Sequence, residues 1–256
     1  MRLAVISDIH GNVAALEIAL ADLQAAGGAD RLWVLGDHAW GGPRPVECIQ
    51  RLQSLTTEWG ENNISFIRGN TDRYLVTGAP PTGKAADSAE SYAKLAPALR
   101  AVTANIDWLL TKLSYAEYEW LTKLRGELDL DVPGYGGVIG YHGTPGNDEG
   151  YLKPDTPLDE ADDALLDREG RLGIGGHIHQ QMDRDLTRWR AINVGSVGMS
   201  FDKPGYVEYG IFTFEGSDVQ VDLRAIAYDV ELVIADLQAS GYPGWEQTAR
   251  RLREGM

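Results

Sequence analysis

The chain has 256 residues, 43% apolar and 24% charged, with a formal charge of −15 and one cysteine, a composition that can bury a sizeable core. The acidic excess argues against nucleic acid as a partner, since phosphate-backbone contacts need a basic face, and the lone Cys48 excludes an internal disulfide. No apolar run approaches the roughly 20 residues that span a bilayer, and the four apolar residues after Met1-Arg2 are too few for a secretory signal; a cytoplasmic protein with no membrane partner is expected.

Residues 3–6 read as a buried strand that runs into Ser7-Asp8-Ile9-His10-Gly11. On an extended chain Asp8 and His10 would point to the same side. A carboxylate and an imidazole leaving a strand together form half of a metal site. Asn12 can cap a helix whose apolar positions Val13, Leu16, Leu20 and Leu23 follow helical spacing, ending near Gly27-Gly28. Residues 31–35 form a second strand that enters Gly36-Asp37. After Pro43 and Pro45 a helix places Val46, Ile49 and Leu52 on one face. Residues 64–67 form a third strand ending at Arg68-Gly69-Asn70-Thr71-Asp72. Three strand–loop–helix units predict a parallel sheet with helices outside and polar residues at the carboxyl ends of the strands.

The Pro-, Gly- and Ala-rich stretch 77–89 reads as a loop. Helical patterns follow over 92–99, 106–113 and 115–124. We read 1–256 as one domain in which about 77–125 is a helical insertion packed beside the sheet. Strand-like segments follow at 127–132, 138–142, 171–175, 188–194, 207–214 and 219–227, with one acidic helix at 158–168 whose carboxylates form a solvated face. The chain closes with helices at 230–240 and 245–253.

There are five histidines, His10, His38, His142, His177 and His179, and each sits at or beside the end of a predicted strand. Asp8, Asp37, Asn70 and Asp72 occupy equivalent positions. Gathered at one edge, these groups exceed what one tetrahedral zinc needs. They suit two divalent metals about 3.5–4 Å apart sharing a carboxylate. A nitrogen and oxygen donor set without thiolate favours manganese, iron or zinc over calcium, with nickel a further candidate.

Asp8-x-His10, Gly36-Asp37-x-x-x-x-Gly42, Gly69-Asn70-x-Asp72, His142-Gly143 and Gly176-His177-x-His179 resemble, in order, the five blocks of the calcineurin-like metallophosphoesterases. Gly42-Pro43 and Asn193-Val194-Gly195-Ser196-Val197-Gly198 resemble the small single-domain bacterial and archaeal branch. The resemblance implies an α/β fold, a four-layer αββα sandwich with the site at the strand ends. It implies that Asp8, His10 and His179 hold one metal, that Asp37 bridges, and that Asn70, His142 and His177 hold the second. It further implies in-line attack on phosphorus by a hydroxide shared between the metals, with Asp72 orienting a neighbouring group. The function so implied is a dinuclear metal-dependent phosphoesterase acting on a phosphodiester or nucleotide-like small molecule. The alternative is a non-catalytic scaffold or interaction module on the same fold, against which the complete ligand set stands.

Thr71 departs from the family pattern, in which a histidine after the asparagine often serves as general acid. A threonine hydroxyl cannot usefully protonate an alkoxide near neutral pH, which favours activated esters, diesters or anhydrides. His38 is the candidate replacement donor; otherwise its ring serves as a hydrogen-bonded neighbour. Val194 replaces a frequent proline, with local effects expected. Arg68 is a candidate phosphate ligand or a salt-bridge partner. Trp40 is expected to pack on the Pro43 loop, with stacking on a nucleobase as the functional alternative. Cys48 is expected to be buried and non-catalytic.

Overall fold

The computed structural model describes residues 1–79, 85–165 and 167–255. Part of the expected 77–89 loop and one position of the expected 158–168 helix lie outside the described residues.

Two mixed five-stranded sheets face each other. The first has the order β10(Asp218–Ala227), β9(Tyr206–Glu215), β1(Arg2–Ile6), β2(Arg31–Val34), β3(Ile64–Phe66). β1, β2 and β3 pair in parallel, as expected, while β9 and β10 add an antiparallel edge. The second has the order β4(Leu128–Val132), β5(Gly136–Gly140), β6(Leu172–Gly175), β8(Arg190–Val194), β7(Gln181–Asp185). There β5, β6 and β8 run parallel between antiparallel outer strands.

Alternation along β1 sets the layers. Leu3 and Val5 enter the core between the sheets, with Trp33, Ile174, Ile192 and Phe212. Ala4 and Ile6 point the other way, into a core shared with Leu16, Leu23 and Leu52 of α1(Val13–Ala25) and α2(Pro45–Trp59). A two-residue side-chain period makes this division unavoidable once both faces are covered. The far side of the second sheet buries Ile139, Tyr141, Met182 and Trp189 against Leu152 and Ala161, the latter in α6(Leu158–Asp163). The expected four-layer αββα sandwich is what forms.

The helices differ in detail from expectation. Asn70 opens a helix not placed by the sequence reading, α3(Asn70–Thr77). Asp72 at its third position accepts the Gly69 N–H at 3.0 Å, the acidic half of a capping box. The separate patterns at 92–99 and 106–113 belong to one helix, α4(Ala89–Lys112), which carries Pro97 inside it. α4 and α5(Tyr115–Thr122) pack on α2, and both contact α3. α7(Val230–Ser240) and α8(Trp245–Glu254) pack on each other around Leu237, Tyr242 and Leu252. Among the described residues no helix is long and apolar enough to cross a membrane.

Candidate metal centre

The loops leaving β1, β2 and β6 share an uncommon backbone. Among the described residues, the non-glycine residues with positive φ are Asp8 (55°), His10 (52°), Asp37 (54°), His177 (68°) and His179 (54°). Each such conformation costs about 1–2 kcal/mol and persists only where surrounding structure holds it. The expectation that Asp8 with His10, and His177 with His179, converge as alternate residues of an extended chain is therefore corrected. They converge because the chain turns left-handed at each of them.

Main-chain bonds hold these turns in place. The His10 N–H donates to Asp37 O at 2.9 Å and the Asp8 N–H to Gly36 O at 3.1 Å. From the second sheet, the Val197 N–H reaches Ser7 O at 3.0 Å, and Asp8 O accepts the Gly198 N–H at 2.9 Å and the Ser196 hydroxyl at 2.8 Å. Two glycines allow the approach: a Cβ on Gly69 would collide with the Asp37 carboxylate, and one on Gly176 with Ser7 Oγ and Asp8 Oδ2.

Three histidines are fixed by main-chain carbonyls. His10 Nδ1 lies 2.5 Å from Trp40 O, His142 Nδ1 2.7 Å from Leu35 O, and His179 Nδ1 2.6 Å from Met199 O. A carbonyl only accepts, so Nδ1 carries the proton in each neutral ring and Nε2 presents a lone pair. Those lone pairs converge. His10 Nε2 and His179 Nε2 lie 3.0 Å apart, with Asp8 Oδ1 3.2 Å from His179 Nε2. His142 Nε2 faces Asn70 Oδ1 at 2.9 Å and Asp37 Oδ1 at 3.5 Å. The other Asp37 oxygen lies 3.7 Å from His10 Nε2, so this carboxylate spans the two clusters. Donor atoms of Asp8, His10 and His179, and of Asp8, Asp37 and His142, lie within 4.8 Å of one another. His177 Nε2 is buried beside His142, the ring centroids 5.1 Å apart, with no hydrogen-bond partner among the described residues.

Acceptors facing acceptors repel unless a cation stands between them, and the donor chemistry is that of a divalent-metal site. Without metal, protons partly fill that role. Burial opposes charging His142, yet the Asp37 and Asp8 carboxylates carry it up to about 10. Burial also opposes ionising Asp37, but His142 and His10 hold its carboxyl well below the usual range. His177 goes the other way: burial, then the neighbouring His142, pushes it down to about 4 and leaves a neutral ring.

Asp72 and His38 lie behind this front. The Asp72 carboxylate, buried, accepts the N–H groups of Asp37 (2.8 Å), His38 (3.1 Å) and Gly69 (3.0 Å) and lies 2.8 Å from His38 Nδ1. It ties the loop after β2 to the start of α3. His38, the candidate proton donor, is fully buried, held by Asp72 and packed edge-on to Trp120, and does not line the cavity. In this placement the His38 ring is bonded to the same Asp72 carboxylate that accepts the Asp37 N–H.

The centre opens into a cavity of about 440 Å³, within the range of small-molecule sites. His10, Asp37, Asn70, His177 and His179 line one side, with Thr71, Trp40 and Phe201 beside them. Thr71 donates its N–H to Asp37 Oδ1 at 3.0 Å, and its hydroxyl is buried without a partner. Trp40 thus borders the cavity while also packing edge-on against Tyr74. Arg68 lies elsewhere, in a cleft of about 430 Å³ that it shares with His142 and Thr144; it makes no ion pair among the described residues, and its Nε is buried without a partner. Cys48 is fully buried, and burial pushes its thiol up.

Sequence reasoning missed Ser196, whose hydroxyl fixes the Asp8 turn, and the carbonyl clamps, which depend on backbone and not on residue type. The glycine-bearing segment around Ser196 was the available signal. It also missed the opposite wall of the cavity, formed by Arg100 and Asn105 of α4 and by Tyr242, Gln247 and Arg251 in and before α8.

Comparison with known proteins agrees with this architecture. An uncharacterised protein of Methanocaldococcus jannaschii is 26% identical over 260 residues, covering 95% of this chain and 94% of its own. A hypothetical protein of Pyrococcus horikoshii superposes with a TM-score of 0.82 at 21% identity, over 100% of this chain and 98% of its own. A metallophosphoesterase of Sphaerobacter thermophilus gives 0.71 at 23% identity, over 98% of both chains. The family model described as the calcineurin-like phosphoesterase superfamily domain matches residues 1–217, and the chain belongs to that superfamily.

Proposed function

We propose that the chain is a dinuclear metal-dependent phosphoesterase that hydrolyses a phosphodiester or nucleotide-like small molecule. The observation that carries this reading is the 3.0 Å approach of two histidine Nε2 atoms beside a buried carboxylate, an arrangement a divalent cation would satisfy. The residues fit two divalent ions: Asp8, His10 and His179 would hold one, Asn70, His142 and His177 the other, with Asp37 between. Manganese, iron, zinc and nickel all suit these donors. When bound, such ions neutralise charge on phosphoryl oxygens and supply a nucleophile at neutral pH.

The chain's own groups do the rest. The left-handed turns and carbonyl clamps fix the donors before substrate arrives. Asp72 and His38 hold the Asp37 loop. Thr71 lines the cavity; a threonine hydroxyl can donate to a phosphoryl oxygen, but it cannot protonate a poor leaving group. Diesters or esters of acidic alcohols are therefore the expected substrates.

The experiment strips the protein of metal, reloads it separately with manganese, nickel, zinc or iron, and assays 4-nitrophenyl phosphate against bis(4-nitrophenyl) phosphate. Metal-dependent turnover with the diester faster supports the reading. Binding of metal without turnover of either ester removes it in favour of a non-catalytic scaffold.

A further inference from the structure

The cavity wall opposite the metal centre comes from two places: α4, and the α7–α8 turn with α8, the latter beyond the 1–217 family match. It carries Arg100 and Arg251. Seven other arginines pair with carboxylates, including Arg253 two residues along α8, which pairs with Glu231 at 2.7 Å. Arg251 makes no ion pair and no side-chain hydrogen bond among the described residues, although it is partly buried. In a chain of charge −15, a counter-charge is easily supplied, and withdrawing a lone guanidinium from water is unfavourable. Three residues lining the same cavity also carry a buried polar atom without a partner among the described residues: Thr71 Oγ1, Asn105 Oδ1 and His177 Nε2. Histidine and carboxylate donors thus stand on one side and unpaired cations on the other.

An anionic substrate approaching so acidic a protein needs local positive charge, and metals at the centre would meet only the scissile group. We propose that the phosphoester taken by this cavity carries a second anionic group of phosphate type, which Arg251 of α8 binds, with the exposed Arg100 of α4 lining the same cavity. This rests on the phosphoesterase reading for the scissile group. The family-matched region then supplies the reaction, while α4 and α8 select the substrate.

The test uses two esters that differ only in the second anion: the 4-nitrophenyl ester of thymidine 5′-phosphate, with and without a 3′-phosphate. Wild-type metal-loaded enzyme should prefer the 3′-phosphorylated ester by about tenfold or more in kcat/KM, mainly through KM, as a charge-assisted pair gives. Arg251→Ala should collapse that preference toward one, Arg251→Lys should keep part of it, and Arg253→Ala should keep all of it. Thermal melts establish that each variant folds. Calorimetric binding of thymidine 3′,5′-bisphosphate against thymidine 5′-phosphate reads the same preference without turnover. Equal handling of both esters and both nucleotides overturns the proposal, as does a preference that survives Arg251→Ala. If neither ester is hydrolysed but the bisphosphate is favoured in an Arg251-dependent way, the anion subsite stands and the phosphoesterase reading fails.

Discussion

His10 and His179 face each other through their Nε2 atoms at 3.0 Å, while each ring's Nδ1 is held by a main-chain carbonyl, Trp40 O for one and Met199 O for the other. One residue follows β1 and the other follows β6, in different sheets. The contact thus joins the two halves of the sandwich at the site, and it is stable only with positive charge in it.

Metal entry should therefore expel protons. Despite burial, neighbouring carboxylates raise His10 above its ordinary value and His142 to about 10. In metal-free protein His142 then lends stability that is full below its unfolded value of about 6.5 and is lost as pH rises through about 10. Calorimetric titration near pH 8 in two buffers of different ionisation enthalpy should show about one proton or more released per chain, with affinity rising as pH rises. Binding without proton release would contradict the assigned charge state.

Asp72 accepts hydrogen bonds from both sides of the Asp37 loop without lining the cavity. Asp72→Asn replaces one acceptor oxygen with a donor facing N–H groups. Metal affinity should fall about 10- to 100-fold, the usual cost of losing a group that orients ligands, and added metal should restore turnover. A fall in turnover at saturating metal with affinity unchanged would instead place Asp72 in the reaction itself.

Thr71 should set leaving-group preference. Thr71→His places a titratable donor at the cavity-facing position after Asn70, and the monoester-to-diester rate ratio should rise about tenfold or more, the lower range of general-acid contributions. An unchanged ratio would show that protonation at this position does not limit the reaction.

Glu208 gives a pH signature away from the metal centre. It is fully buried on β9 opposite Gly195, with Lys203 Nζ 3.3 Å from Oε1. Burial, with Asp202 nearby, pushes its carboxyl up to about 7 despite Lys203. A carboxyl raised in the folded state binds protons the unfolded chain has released, so stability falls as pH rises from about 4.5 through about 7. Glu208→Gln should flatten that fall and stabilise the protein above neutral pH, by at most about 3 kcal/mol, seen as a higher melting temperature there. Melts at about pH 5.5 and pH 8 check it; equal effects at both would remove Glu208 as the titrating group.

The sandwich was legible where burial imposes a period. Residues 3–6 read as a buried strand, and Leu3 and Val5 indeed face one core while Ala4 and Ile6 face the other. β7 was not legible, because Gln181–Asp185 has only Met182 as a buried apolar residue and exposes Asp183 and Asp185, the charged habit of an edge strand. α3 was missed because Gly69-Asn70-Thr71 resembles a turn, although Asp72 at the third helical position was a capping signal. The continuity of α4 across 100–105 was not legible either. At the site, residue types announced themselves through histidines at strand ends, but the left-handed turns that bring them together did not. Arg251 was invisible for a further reason: on α8 it looks like Arg253, and only packing shows that one is paired and the other is not.

The most direct measurement is a titration of stripped protein with manganese, counting bound metal and following turnover of bis(4-nitrophenyl) phosphate on the same samples. The expected result is two metals per chain, with turnover climbing as the second site fills. Failure to retain metal, or full turnover at one metal per chain, would contradict the dinuclear account.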